Sequence, residues 1–258
     1  MNINDFVKAQ SVARYLGSQG MDTSLQTGTQ AASFSLAGQA GFQKAEKRIQ
    51  AQVDSASAQL SSFGKLQSSL FAAQSAAGAL TSLANNSTAA AQKSAAVDFA
   101  AAFNAAVAAA KATAALTGDS AATRSASRTG QDLLQALGGN TATTSALKKL
   151  GFSLASGGNL QLDSKTFDAA VKANGTAVLA SLATLGQNVY TAAAKELGFD
   201  GNVGLSLSSL GQRASILKTQ QAMLASLGLS TNTTTSGSNS GAYDFGLAAY
   251  RKSLDPAK

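Results

Sequence analysis

No proline interrupts this chain before Pro256. Proline ends helices because its ring clashes with the preceding turn and it lacks an amide hydrogen. Long helices are therefore open to nearly the whole chain, and the apolar pattern decides where they fall. Residues 42–84 carry the clearest pattern. Ile49, Val53, Ala56, Leu60 and Phe63 step by four, three, four and three, which is a heptad seam. Leu66, Leu70, Ala73, Ala77 and Leu80 repeat it. The three-residue step from Phe63 to Leu66, beside Gly64, is a stammer and predicts local overwinding or a kink. An amphipathic helix in an ordinary bundle and a rod-like coiled coil both fit; the length of the pattern favours the coil.

Much of the apolar content is alanine, tryptophan is absent, and only 11 Phe and 4 Tyr are present in 258 residues. Long helices packed closely through small residues suit this composition better than a large globular core. A second helix is expected over about 95–116, with Val97, Phe99 or Phe103, Val107 and Leu116 as its larger anchors. Residues 117–130 read as a loop or frayed helix, with short helices at 131–138 and near 142–150. A heptad-like helix is expected over about 205–227, through Leu207, Leu210, Ala214, Leu217, Gln221 and Leu224.

One stretch is drawn more sharply. Phe152 and Leu154 alternate with Ser153 and Ala155, and Leu160 and Leu162 flank Gln161. Between them, Gly157-Gly158-Asn159 offers positive-φ turn positions, so a small β-hairpin is expected. Asp163 is placed to cap a helix over 164–174, its carboxylate accepting the free amide hydrogens of the first turn. Phe167, Ala170 and Val171 recur along that helix at helical spacing. Asn174-Gly175 is expected to end it, and a further helix to run over about 176–197.

The ends differ. Residues 1–40 are polar and read as flexible, apart from a short helix at 4–16. Residues 229–241 read as a low-complexity linker. The final segment, 242–258, carries Tyr243, Phe245 and Tyr250, aromatic residues suited to contact with the protein's own coil or another subunit. The intervening 41–228 is expected to form one helical domain. The amino terminus has no secretory-signal pattern. The apolar run 97–116 contains Asn104 and Lys111 and reads as a poor membrane span.

Several chemistries are excluded outright. The chain has no Cys and no His. Disulfides, thiolate metal sites and Ser-His-Asp or Cys-His catalysis cannot be built. No phosphate-binding glycine loop or nucleophile elbow is present. Ser145-Ala-Leu-Lys148 and Ser215-Ile-Leu-Lys218 match a four-residue catalytic pattern, but its companion motifs are missing. No catalytic residue, metal ligand or cofactor is expected. The formal charge of +7 is spread thinly, with adjacent basic pairs only at Lys47-Arg48, Lys148-Lys149 and Arg251-Lys252. Solvated helix faces account for it better than nucleic-acid binding.

The segment "LSSFGKLQSSLFAAQSAAGALTSL", 60–83, resembles the amino-terminal coil of the bacterial flagellar filament cap, hook-associated protein 2. "VDFAAAFNAAV", 97–107, is similar to that family's next helix, with Phe103-Asn104 at its Tyr-Asn position. "LKKLGFSLASGGNLQLDSKTFDAAVKANGTAVLASL", 147–182, resembles its glycine-leucine-aspartate module, and "YLGSQGMDTS", 15–24, echoes an early motif. The large outer domains of that family have no counterpart, because only 85–96 lies between the first two segments.

The resemblance implies a minimal, structural, secreted protein of the flagellum. Its expected partners are itself, as a homo-oligomer, flagellin or hook-associated proteins, and the flagellar export machinery, with residues 1–40 as export address. The fold class expected is mainly α: an elongated helical coiled-coil bundle with one small β-hairpin module. The residues expected to matter are the coil seam, Ile49, Val53, Leu60, Phe63, Leu66, Leu70 and Leu80; the module, Phe152, Leu160, Leu162, Asp163 and Phe167; and the tail, Tyr243, Phe245 and Tyr250. The seam serves either as interface or as internal core. Two other functions fit the composition: an alanine-rich amphipathic surface-binding protein, such as a phasin-like granule coat, and a secreted adhesin or effector using the flagellar export route.

Overall fold

The computed structural model describes residues 31–84, 86–139 and 141–233, with side chains from 40 to 226. The described chain is mainly helical with one antiparallel hairpin. In order, it forms α1 (Ala31–Thr81), α2 (Ala89–Ala114), α3 (Ser120–Gly138) and α4 (Thr141–Lys149). Strands β1 (Phe152–Leu154) and β2 (Leu160–Leu162) come next, then α5 (Ser164–Leu197) and α6 (Asn202–Thr233). Two compact units are distinguished, Met1–Lys44 and Ala45–Lys258. Of the first, only the opening turns of α1 are described; the core, the hairpin and every other helix belong to the second.

The long helix begins earlier than its pattern predicts, at Ala31, so residues 31–40 of the expected flexible segment are helical. It passes Gly64 without interruption. Its buried positions are Val53, Ala56, Gln59, Phe63, Leu66, Leu70, Ala73, Ala77 and Leu80. Two consecutive three-residue steps therefore fall at 53–56–59, about two turns before the expected stammer. Gln59 takes the inward place expected for Leu60, which packs at the edge of the core.

Helix α2 is capped by Thr88, whose hydroxyl accepts the Ala91 amide at 3.2 Å. It lays Phe99, Phe103, Ala106, Val107 and Ala110 against α1 and the hairpin as one core. By length and composition it could cross a membrane; in this fold those residues are buried among protein side chains. Val97, expected as an anchor, is 46% exposed. Phe99 and Phe103 both serve instead, ring centroids 6.3 Å apart.

Of residues 117–130, only 117–119 are non-helical; 120–130 are regular helix. Asp119 accepts the Ala121 and Ala122 amides at 2.8 and 3.2 Å and starts α3, which runs unbroken to Gly138. Its buried face is Ala122, Ala126, Thr129, Gly130, Leu133 and Leu137. Small residues make that face look like loop in sequence, yet they allow close approach: a Cβ on Gly130 would sit 3.4 Å from the Ala110 Cβ.

Helix α5 bends at Asn174, where φ is −159° and ψ 83°. The break was expected there, but Asn174 acts as a new cap rather than Gly175 as a terminator. Its side-chain oxygen accepts the Ala177 amide at 3.0 Å. Beyond the bend, Gly186 crosses α1 so closely that a Cβ would meet the Ala77 carbonyl oxygen at 2.5 Å. Helix α6 extends to Thr233, into the expected linker. Its Ala214 and Leu217 pack on Val53 and Ala56, with Ile49 at the margin. Gln221 pairs with Gln50, while Arg213 reaches Asp119, which caps α3 near Ser55 of α1. Helices α1 and α6 are therefore antiparallel here.

The two mid-helix glycines separate intrinsic propensity from packing. Gly64→Ala meets nothing within 4 Å and is expected to stabilise the fold by about 0.5–1 kcal/mol. Gly186→Ala must push α5 off α1 and is expected to destabilise by about 1–3 kcal/mol. Urea midpoints of the two variants check this; equal shifts of the same sign would remove the α1–α5 crossing.

Candidate functional site

The hairpin is the most elaborated feature of the described chain. Its register pairs Phe152 with Leu162, Ser153 with Gln161 and Leu154 with Leu160. Opposed residues of an antiparallel pair share a face, so Phe152, Leu154, Leu160 and Leu162 all lie on one side. Phe152 and Leu160 are buried, Leu162 is half-buried, and Leu154 is 39% exposed. The turn closes through Gly158 N donating to Ala155 O at 2.7 Å. Only one of the two turn glycines, Gly158, has positive φ, at +77°. Any larger residue there would also press on Leu134 at 3.0 Å.

Three contacts along α2 hold the hairpin. The Phe152 ring meets Phe99 edge-on at 6.4 Å. Asn104 donates its amide to the Leu160 carbonyl at 2.9 Å and accepts the Leu160 amide at 2.7 Å. Lys111 donates to the Gly157 carbonyl. Leu160 sits at a pair whose backbone groups point away from the partner strand. Asn104 therefore does for Leu160 what a third strand would do.

Asp163 caps α5 as its position implies, accepting the Thr166 amide at 2.9 Å. That hydrogen bond holds its carboxyl below the usual aspartate range. Backbone bonding from Asp163 N to Gly151 O at 2.8 Å joins the end of β2 to the residue before β1. Phe167 on the first turns of α5 is fully buried in the main core. On the outer side, Lys93 of α2 pairs with Asp168 at 2.7 Å. Phe152, Leu160 and Phe167 thus belong to the main core with Leu162 packed against it, and Asp163 caps α5.

The seam residues lie elsewhere. Phe63, Leu66, Leu70 and Leu80 are buried within this chain against α2 and α5, and Val53 against α6. Their apolar surface is consumed by internal core. Leu60 and Ile49 are only partly covered. Tyr243, Phe245 and Tyr250 lie outside the described residues.

Two residues make decisive contacts that the sequence did not assign. Asn104 is a lone amide in an alanine run, which is its signal. Glu196 continues the buried phase of Leu182, Leu185, Val189 and Ala193; an acidic residue in that phase is the feature to notice. Two concave features stand out among the described residues, neither of them enclosed. One is lined by Ser62, Lys65, Ser68, Ser69 and Thr113 with two alanines, between α1 and α2. No group of three potential metal-ligating side chains occurs among the described residues. No family model, curated protein or solved structure matches this chain.

Loss of Asn104 should be felt directly. Asn104→Ala leaves the Leu160 amide and carbonyl without partners and is expected to cost about 1–3 kcal/mol. Phe167→Ala is expected to cost about 3–5 kcal/mol through the cavity it leaves. Chemical denaturation checks both; unchanged midpoints would detach the hairpin from the core.

The Asp163 cap adds a pH signature. Its folded carboxyl is more acidic than the unfolded one, so its contribution is present above the ordinary aspartate range. It is lost as pH falls through the folded value. Asp163→Asn is expected to flatten that acid-side loss; an unaltered acid profile would show that the cap does not form.

Proposed function

We propose that this chain is a structural, non-catalytic protein of the flagellar filament-cap or hook-associated type, self-associating and contacting flagellin-type subunits. The observation that supports the reading is convergence. The three longer segments that resemble the filament-cap family fold onto one another. The coil segment 60–83 supplies Phe63, Leu66, Leu70 and Leu80; the segment 97–107 supplies Phe99 and Phe103; the module 147–182 supplies Phe152, Leu160 and Phe167. Asn104, from the second segment, clamps Leu160 in the third. A shared core is what a compact cap-like module built from these segments requires.

The chemistry agrees with a structural role. A chain without Cys or His lacks the thiolate nucleophile and the usual general base. An exported axial protein must also refold after passage, and short-range helical contacts favour that.

One observation favours the surface-binding alternative. Leu205, Ile216 and Met223 are each more than half exposed. Their spacings of eleven and seven residues place them on one side of α6.

The deciding experiment tracks the full chain in motile cells, in their culture fluid and in sheared filaments. With the flagellar export apparatus intact, the protein is expected outside the cell and with the filaments. When the apparatus is disrupted, it is expected to remain inside. Retention in the cytoplasm of cells with working flagella would overturn the cap-like function. Co-sedimentation with granules or lipid would then favour the coat reading.

A further inference from the structure

We infer that Glu196 and Asp132 form a proton-operated latch. It holds the α5–α6 joint against α3 when Glu196 is protonated and loosens that joint when Glu196 ionises.

The geometry begins with a fully buried acid. Glu196 has no exposed surface, and neither has its partner Thr129 on α3. The Thr129 hydroxyl lies 2.6 Å from Glu196 Oε2. It also lies 3.1 Å from the Ser125 carbonyl. A hydroxyl carries one hydrogen and cannot donate to both. An ionised Glu196 draws that hydrogen to Oε2, whereas a protonated Glu196 brings its own and leaves Thr129 free to donate to Ser125. From the first turn of α6, the Asn202 amide donates to both Glu196 oxygens at 3.1 and 2.9 Å. The acid therefore joins three helices.

The charges around it do not favour ionisation. Asp132 faces Glu196 from α3, one turn beyond Thr129, and is itself an acid. Lys195, the neighbour on α5, is turned outward and approaches Asp132 at 3.5 Å with its side chain 74% exposed. Helix α6 contributes the uncharged Asn202; Arg213, about 16 Å further along that helix, is paired with Asp119 at 3.0 Å. Burial, first of all, pushes the Glu196 carboxyl up, and Asp132 adds to it, against the hydrogen bonds from Thr129 and Asn202.

The joint offers little slack. Residues 198–201 connect the two helices, closed by Gly201 N donating to Gly198 O at 3.0 Å. A Cβ on Gly201 would lie 2.1 Å from the Lys195 carbonyl oxygen. Ionising Glu196 in this setting strains the joint from which α6 departs toward α1.

The sign of the effect is fixed. The folded acid holds its proton to higher pH than the unfolded one. It costs nothing at acid pH, where both forms are protonated. The cost grows as pH rises past the unfolded value and levels off above the folded one. Stability should fall as the solution goes from mildly acidic to neutral. The chain has no histidine, so few other side chains titrate in that window.

The test uses the full chain. Wild type, Glu196→Gln and Asp132→Asn are unfolded in urea at pH 5 and pH 8. The wild-type midpoint is expected to drop between them, Glu196→Gln to hold its midpoint, and Asp132→Asn to show a reduced drop. Amide exchange at 198–203, corrected for the intrinsic effect of pH, should quicken several-fold more in wild type than in Glu196→Gln. Equal drops in wild type and Glu196→Gln overturn the latch. The Glu196 carboxyl, monitored by carbon NMR in wild type, decides between the outcomes even where the Gln variant fails to fold. Titration above the ordinary glutamate value supports the latch, and titration at that value overturns it.

Discussion

One side-chain amide makes the central polar connection between the hairpin and the helical core, between the Phe152–Phe99 contact and the Lys111 bond to Gly157. Two three-residue strands cannot stand alone in water, and β2 leaves the Leu160 amide and carbonyl pointing away from β1. Asn104 meets both groups. That pairing fixes the height of the hairpin on α2, places the Phe152 ring against Phe99, and sets where Asp163 can begin α5. Beyond the bend at Asn174, α5 brings Gly186 across α1 and Glu196 to Thr129. A misplaced hairpin would misplace each of these contacts in turn.

The remainder of the fold solves a shortage of large apolar residues. Five phenylalanines, Phe63, Phe99, Phe103, Phe152 and Phe167, stand among the largest fully buried side chains. They come from α1, α2, β1 and α5, so a few bulky groups are spent where elements converge. Elsewhere alanine and glycine bring helices close enough for dispersion contacts to replace bulk. Gly186 and Gly130 mark two such approaches. The arrangement is intolerant at those positions and tolerant at Gly64, which faces open space.

The sequence was most legible where residues differ sharply in size or chemistry. The hairpin, the Asp163 cap and the seam from Phe63 to Leu80 rest on strong alternation, a carboxylate at a helix start, and large residues at heptad spacing. It was least legible where size gives no contrast. Helix α3 hides its inner face in Ala122, Ala126 and Gly130, and its start in the Asp119 cap. The choice of Gln59 over Leu60 shows a local phase set by neighbouring helices rather than by hydrophobicity alone. Asn174 broke its helix as expected, but as the cap of the next helical stretch, through the Ala177 amide. Asn104 stood out only beside Phe103 in the resembling segment, and Glu196 only as an acid in an apolar phase; the groups they bond lie far away in sequence. In the proposed cap-like role, this knot of hairpin and helices would be the rigid base from which the antiparallel α1–α6 pair extends.

Asn104 makes the hairpin part of the core and not a surface ornament. Native-state hydrogen exchange at the Leu160 amide probes that dependence at its source, because this amide has no strand partner and owes its protection to Asn104. Leu160 is expected to exchange only with global unfolding, in step with the central amides of α2. Exchange at the rate of exposed turn amides such as Gly157 would contradict it.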